Sequence, residues 1–246
     1  MVLALLADIH ANLEALQACL AHAAERGVER YAFLGDLVGY GADPGPVVDL
    51  IAGMQAKGAV VVKGNHDAAA LGERGYLNES ARTAAIWTGE VLTAAQREFL
   101  EGLPLVVREN KVCFVHATAN APERWDYVDS PSAAEKSAGE AQRIYTFSGH
   151  VHNQVLFGED ARQRMVSFHP LPGMPVPMRA NRRWLALVGS AGQPRDGNPS
   201  AAYTIADLDK SMITFYRVPY DNLKAAAKVR LAGLPELLAY RLERGV

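Results

Sequence analysis

The sequence has few cysteines and lacks any hydrophobic run long enough to span a membrane. Cys19 and Cys113 are the only cysteines among 246 residues, and no CxxC spacing links them, so neither a disulfide framework nor a thiolate zinc site is indicated. The start, MVLALLADIH, has no basic segment and only a short apolar run before Asp8, which argues against a signal peptide. No later stretch approaches the roughly 18 consecutive apolar residues of a spanning helix. We therefore expect a cytoplasmic protein with two free thiols and no membrane partner.

An excess of charge of either sign is also absent. Lys and Arg total 25 against 27 Asp and Glu, which gives a formal net charge of -2. Such a chain exerts no long-range attraction on nucleic acid, so a nucleic acid is not the expected partner. The 49% hydrophobic and 21% charged residues are typical of a folded globular protein. Because no repeat or break in composition divides the chain, we predict one domain over residues 1–246.

Short apolar runs alternate with helical segments through the first 150 residues. The predicted strands are Val2–Ala7, Tyr31–Leu34, Ala59–Val62, Val112–Val115 and Ile144–Phe147. This β-then-α order predicts a largely parallel sheet covered by helices. Five more strand-like runs follow residue 150 with short connections, which predicts a second, mostly antiparallel sheet. We interpret Pro170–Met178, with four of the thirteen prolines, as an ordered loop. The fold class is then α/β, with two stacked mixed sheets flanked by helices.

Each of the five early strands ends at a residue that can bind a metal ion. These residues are Asp8, His10, Asp36, Asn65, His66, His116, His150 and His152. The carboxyl ends of parallel strands point to one edge of a sheet, where open α/β folds bind ligands. Turn chemistry explains a single Asp or Asn after a strand, but it does not explain why all five strands end in this way. The pattern therefore predicts one metal site built from all five.

The ligand set consists of oxygen and imidazole nitrogen without thiolate. It suits Mn, Fe, Zn, Ni or Co rather than Mg or Ca, which prefer oxygen cages. Seven candidate ligands (Asp8, His10, Asp36, Asn65, His116, His150 and His152) exceed what one four-coordinate zinc requires. They fit two metals that share a carboxylate and lie about 3.5–4 Å apart, a pair that generates hydroxide at neutral pH and clamps the oxygens of an in-line displacement. The expected substrate is a small phosphoryl compound.

The five strand ends, in this order, resemble the calcineurin-like metallophosphoesterase family. Its pattern is D-x-H, G-D, G-N-H-[DE], an isolated His and G-H-x-H, and the match spans about residues 1–155. Residues 189–203 and 218–221 resemble a bacterial and archaeal branch of small phosphoesterases. The resemblance implies an α-β-β-α sandwich and two first-row divalent ions, with manganese preferred.

The resemblance also implies a role for each residue. Asp8, His10 and His152 would hold one metal, whereas Asn65, His116 and His150 would hold the second. Asp36 would bridge the two. His66 would bind no metal but would contact substrate and help protonate the leaving oxygen, and relatives that lack this histidine serve as binding scaffolds.

The sequence departs from the family pattern after Asp36. Protein Ser/Thr phosphatases of the family read G-D-x-V-D-R-G, where the second Asp orients the catalytic His and the Arg grips phosphate. This chain has Gly39 and Tyr40 at those positions, which argues against phosphoprotein phosphatase activity and leaves the orientation of His66 open. We expect Asp67 to support the turn rather than to act in catalysis.

Two arginines are candidates for binding the substrate phosphate. Arg124 lies in a loop with Trp125 and Tyr127, and Arg195 lies in a Gly/Pro-rich segment. Either arginine is equally well explained as a solvated charge, and loop packing explains each aromatic at least as well as nucleobase stacking.

From the complete ligand set, His66 and the missing Arg at Tyr40, we predict a phosphodiesterase or a hydrolase of nucleotide phosphoanhydrides such as dinucleoside polyphosphates. The alternatives are a metal-binding scaffold without catalysis and a nuclease with the same site. The sequence does not indicate an oligomeric state.

Overall fold

The computed structural model describes residues 1–73 and 77–246. Its strands are β1 Val2–Leu6, β2 Arg30–Leu34, β3 Val60–Val62, β4 Val106–Glu109, β5 Val112–Val115, β6 Tyr145–Ser148, β7 Gln154–Glu159, β8 Met165–Phe168, β9 Pro175–Pro177, β10 Trp184–Val188, β11 Ala201–Asp207 and β12 Met212–Val218. Its α-helices are α1 Leu13–Ala24, α2 Pro44–Gln55, α3 Asn65–Ala70, α4 Glu79–Val91, α5 Ala94–Glu101, α6 Pro131–Ala141, α7 Asn222–Leu231 and α8 Glu236–Arg244. A 3-10 turn covers Pro122–Arg124.

The strands form two sheets of six that pack face to face. The first sheet has the order β3-β2-β1-β11-β12-β9, and the second has the order β4-β5-β6-β10-β7-β8. Alternate residues of β1 point to opposite faces, so Leu3 and Leu5 pack between the sheets, whereas Ala4 and Leu6 pack beneath α1 and α2. Helix α6 covers the outer face of the second sheet. The predicted two-sheet sandwich flanked by helices is confirmed.

Both sheets are mixed, as the predicted fold class states, but the strands are not divided into an early, largely parallel sheet and a late, mostly antiparallel one. Strands β1, β2 and β3 pair in parallel in the first sheet, whereas β5 and β6 pair in parallel in the second. The late strands divide between them: β11 joins β1, and β10 lies between β6 and β7. Alternation of apolar residues identifies a strand and its buried face, but it does not identify the neighbouring strand.

Several elements were not predicted. Helix α6 buries Ala134, Ala138 and Ala141, and residues this small give no strong apolar periodicity. Strand β9 lies inside the predicted proline loop, where Pro175 and Pro177 flank an edge pairing with β12, an edge being where a sheet tolerates proline. Strand β4, also not predicted, pairs with β5 and forms one edge of the second sheet. None of these additions changes the position of the five strand ends.

The helices and the two cysteines agree with the sequence expectations. Over residues 1–73 and 77–246, no helix combines the length and the apolar character that crossing a bilayer requires. Cys19 and Cys113 are both buried and free, as the missing CxxC spacing predicted.

Candidate functional site

The ends of the five predicted strands lie together, although the strands belong to two sheets. The ligand atoms of Asp8, His10 and His152 lie within 4.8 Å of one another, and those of Asp36, His116 and His150 do the same. All six side chains are buried. The loops are joined by hydrogen bonds: the backbone N–H of Asp8 donates to the carbonyl of Gly35, and that of His150 donates to the Asp8 carboxylate at 2.9 Å.

In the first group, which consists of Asp8, His10 and His152, the two imidazole rings point their Nε2 atoms toward each other. Nδ1 of His10 lies 3.2 Å from the carbonyl of Val38, and Nδ1 of His152 lies 2.6 Å from that of Gln193. A carbonyl oxygen only accepts, so each Nδ1 carries the ring proton and each Nε2 carries a lone pair. The two Nε2 atoms are 3.2 Å apart and cannot hydrogen-bond to each other in that state. A cation between them satisfies both.

The second group has the same design. Nδ1 of His116 donates to the carbonyl of Leu34 at 2.7 Å, which leaves Nε2 as an acceptor. That Nε2 lies 3.1 Å from Oδ1 of Asn65 and 3.2 Å from Nδ1 of His150. In the neutral ring the lone pair of His116 and the amide oxygen of Asn65 are both acceptors and fit a cation, whereas a protonated His116 would donate to Asn65 or Asp36 instead.

Asp36 lies between the two groups. Its Oδ2 is 3.8 Å from Nε2 of His10 and 3.4 Å from Nε2 of His116. Its Oδ1 accepts the backbone N–H of His66 at 2.8 Å. Oδ2 is therefore close to an Nε2 atom of each group, which is the position that a shared metal ligand needs. Oδ1 accepts a hydrogen bond at the start of α3.

The backbone at these positions is strained. Asp8, His10 and Asp36 have φ of 52°, 49° and 50°, and His150 and His152 both have φ of 67°. Residues other than glycine seldom adopt this left-handed conformation, and each instance costs about 1–3 kcal/mol. Five of the seven predicted ligands share the strain, which indicates that the fold holds these side chains in one place for a function.

Burial keeps most of the imidazoles neutral. It lowers the pKa of His10 and His152 well below the usual value, and burial followed by repulsion from His116 lowers the pKa of His150 to about 3. Burial alone would also lower the pKa of His116, but the Asp36 carboxylate reverses the effect and raises it to about 9. Neutral imidazole is the form that binds a metal, so three of the four rings are ready to bind without losing a proton.

His66 is held by ring packing rather than by a carboxylate. Its ring centroid lies 4.3 Å from that of Tyr40 and 5.0 Å from that of His10. Its Nδ1 is buried and has no hydrogen-bond partner among the described residues, and a Cβ at Gly39 would lie 2.8 Å from it. Because Nδ1 is buried against Gly39, only the Nε2 edge of the ring can reach the cleft described below. The missing Asp at position 39 thus leaves space that the imidazole occupies.

Replacing Gly39 by Ala is expected to lower the free energy of unfolding by about 1–3 kcal/mol. The new methyl group would meet the His66 ring, and the backbone at Gly39 has φ of 86°. The matched control is Gly53→Ala in α2, where a Cβ meets nothing within 4 Å and alanine is expected to stabilise the helix by about 0.5–1 kcal/mol. Denaturant unfolding of both variants measures the difference, and equal stability of Gly39→Ala and the wild type would contradict this packing.

Asp67 supports the turn, as predicted. Its carboxylate accepts the backbone N–H groups of Leu37 at 2.8 Å, Val38 at 3.1 Å and Gly64 at 2.9 Å. It is completely buried, so it joins the loops after β2 and β3 and does not reach the cleft.

A cleft of about 580 Å³ opens beside the two groups. It is lined by Asp36, Asn65, His66, His150 and His152 and by both arginines predicted to bind substrate, Arg124 and Arg195.

Trp125 and Tyr127 line the same cleft. Tyr127 stacks on His150, with ring centroids 4.2 Å apart and an interplanar angle of 23°, and Trp125 lies edge-on to His116 at 5.9 Å. One face of Tyr127 is therefore packed against His150, although the side chain remains 55% exposed. Arg124 is 68% exposed and its Nε lies 3.4 Å from a carboxylate oxygen of Asp126.

Among the cleft residues that were not predicted to belong to the site, two carry polar groups that could reach a phosphate, Tyr40 and Arg241. Tyr40 was noted only as a departure from the phosphatase pattern, and Arg241 was not singled out at all. Arg241 lies in α8, whose apolar positions Leu238 and Leu242 face the molecule, and a charged residue between them is what any amphipathic helix contains. No sequence signal separates it from a solvated charge.

Comparison with known proteins identifies the chain's relatives. The sequence model described as the calcineurin-like phosphoesterase superfamily domain matches residues 1–211. The chain is 36% identical over 250 residues to the uncharacterized protein MJ0912 of Methanocaldococcus jannaschii, with 99% of this chain and 98% of that protein covered. A metallophosphoesterase from Sphaerobacter thermophilus superimposes with a TM-score of 0.89 at 35% identity, covering 100% of this chain and 99% of the other. The hypothetical protein PH1004 from Pyrococcus horikoshii shares the fold, with a TM-score of 0.80 at 20% identity and coverage of 100% and 98%.

Proposed function

This chain belongs to the calcineurin-like phosphoesterase superfamily, and from that premise we propose that it hydrolyses phosphodiesters or nucleotide phosphoanhydrides of the dinucleoside polyphosphate type. Its family and the similar structure from Sphaerobacter thermophilus are those of phosphoesterase hydrolases. What the proposal adds is the bond that is cleaved, the identity of the ions and the role of each residue. It also places the protein in the cytoplasm, in keeping with two free thiols.

The proposal assigns the seven predicted ligands to two ions. Asp8, His10 and His152 hold the first, and Asn65, His116 and His150 hold the second, with Asp36 shared. The ions supply the nucleophile and the Lewis acid, and manganese is the first choice because oxygen and nitrogen ligands without thiolate suit it. The observation that carries the proposal is the convergence of His10 and His152 in the first group, because two neutral rings that both donate from Nδ1 leave two Nε2 lone pairs 3.2 Å apart with no proton between them.

His66 is the proposed catalytic side chain. Its backbone N–H donates to the shared carboxylate of Asp36 at 2.8 Å, so the ring is fixed relative to both groups. Burial lowers the pKa of His66, partly offset by the Asp36 carboxylate, so the ring donates a proton from Nε2 to the leaving oxygen only when the negative charge of the bound substrate keeps it protonated. Arg124 and Arg195 are the proposed phosphate contacts, since a guanidinium suits phosphate oxygens.

Turnover tests the proposal directly. The protein loaded with manganese is assayed against a panel of phosphomonoesters, phosphodiesters and dinucleoside polyphosphates, and hydrolysis of bis-p-nitrophenyl phosphate or of a dinucleoside polyphosphate is the expected result. Absence of turnover across the panel and across several metals would reject it.

Two further measurements separate the alternatives. Fewer than one metal ion per chain after loading would favour a scaffold without catalysis. Binding of single-stranded DNA that weakens steeply with salt would favour a nuclease.

A further inference from the structure

One end of the cleft is unusually basic. Arg195 and Arg241 both line it and are half-buried. Arg195 lies 5.8 Å from the ring centroid of Tyr40, and α8, the helix that carries Arg241, packs against the same residue. In keeping with this geometry, the positive charge of Arg195 adds to burial in lowering the pKa of Arg241. Two like charges that share a half-buried position destabilise the empty site unless an anion lies between them.

No carboxylate neutralises this pair. Across residues 1–73 and 77–246, no carboxylate oxygen lies within 4.0 Å of either guanidinium. The hydrogen-bond partners of Arg195 are uncharged: its Nη2 lies 3.3 Å from Oε1 of Gln193 and 3.5 Å from the hydroxyl of Tyr40. Glu73 and Glu123 also line the cleft, but both are exposed and neither pairs with these arginines. The pair therefore has donors to spare.

Tyr40 and α8 fix the position of this end. The Tyr40 ring is 6% exposed and packs in one cluster with Leu238 and Leu242 of α8. Its other face meets His10 and His66, and the Arg195 guanidinium lies 5.8 Å from its ring centroid. Arg241 projects from the same helix into the cleft. It lies beyond residues 1–211 that the family model matches, so this end of the cleft includes a residue outside the matched domain.

We propose that Arg195, Arg241 and the Tyr40 hydroxyl form a second anion site, which binds a phosphoryl group of the substrate other than the one that is attacked. The inference rests on the proposed function and narrows it to substrates with at least two phosphoryl groups. Arg195 follows Gln193, whose carbonyl holds His152, so the second site adjoins the first metal group. Trp125 and Tyr127 lie at the other side, against His116 and His150. The attacked phosphorus is then flanked by a cationic wall and an aromatic wall.

Binding of two small phosphonates to the manganese-loaded protein tests the second site. Methylphosphonate carries one phosphoryl group and methylenebisphosphonate carries two, and calorimetry gives the ratio of their dissociation constants. We expect Arg241→Gln to reduce the preference for the bisphosphonate by about ten- to a hundredfold, the effect of one charge-assisted hydrogen bond. Arg244→Gln is the matched control, because Arg244 is exposed on the same helix and its loss is expected to leave the ratio unchanged.

Further outcomes keep the test decisive. Tyr40→Phe retains the packed ring and loses only the hydroxyl, so it is expected to reduce the preference by about two- to tenfold even if Arg241→Gln fails to fold. An equal ratio in the wild type, Arg241→Gln and Tyr40→Phe would overturn the second site. Two molecules of methylphosphonate per chain in the wild type, falling to one in Arg241→Gln, would show that a separate anion fills it and would overturn the narrowed substrate class. Turnover of the substrate panel is measured separately, so absence of turnover across the panel and several metals rejects the proposed function and not the anion site.

Discussion

Replacing His66 by Ala is expected to lower kcat for a phosphodiester with a poor leaving group by about 10²–10⁴-fold, the usual contribution of a general acid. The effect should shrink for p-nitrophenyl esters, because p-nitrophenolate leaves with little help from a proton. Measuring kcat/KM for a series of aryl phosphodiesters gives the dependence on the pKa of the leaving phenol. We expect this dependence to be shallow in the wild type and steep in His66→Ala.

The control for this change is another histidine. His169 is exposed and lies outside both groups of metal-binding side chains, so His169→Ala is expected to match the wild type in rate and in leaving-group dependence. Metal content of His66→Ala should stay at two ions per chain, since His66 is not a proposed ligand. A His66→Ala protein that hydrolyses every ester as fast as the wild type would rule out the proposed acid.

Replacing Asp36 by Asn is expected to have the larger effect. Its Oδ2 lies 3.8 Å from Nε2 of His10 and 3.4 Å from Nε2 of His116, and the substitution removes the negative charge shared by the two groups. A bridged metal pair contributes several kcal/mol to catalysis, so we expect kcat to fall by about 10³-fold or more. Elemental analysis should find one ion per chain or fewer in place of two.

The fold should survive this substitution. An Asn side chain keeps an oxygen that can accept the backbone N–H of His66, the contact that Asp36 makes at 2.8 Å. Asp129→Asn is the matched control, because Asp129 is exposed just before α6. If Asp36→Asn keeps two ions per chain and the wild-type kcat, Asp36 is not a ligand shared by the two ions.

The convergence of the proposed metal ligands could be predicted because strand ends obey a simple rule. A parallel strand delivers the residue after its carboxyl end to one edge, and Asp8, Asp36 and His116 each follow a buried apolar run. The residues converge although the strands belong to two sheets, because the sheets stack with the carboxyl ends of β1, β2, β3, β5 and β6 at the same edge. The predicted convergence of these side chains is observed, although several later strands belong to a different sheet from the one predicted.

Other features depend on contacts that the sequence does not encode locally. The sheet in which β10 and β11 lie is decided by pairing with strands about 40 and 200 residues earlier. The orientation of His66 depends on the space that Gly39 leaves and on the ring of Tyr40. Arg241 joins the cleft only because α8 packs against Tyr40. Each of these is a property of tertiary packing and leaves no periodic or motif signal.

The central claim is that two ions bind at the two groups of side chains joined by Asp36. Anomalous diffraction at the manganese edge, from crystals of the manganese-loaded protein, tests it most directly. The account predicts two peaks, one among Asp8, His10 and His152 and one among Asn65, His116 and His150, with Asp36 contacting both. A single peak, or two peaks that do not share Asp36, would contradict it.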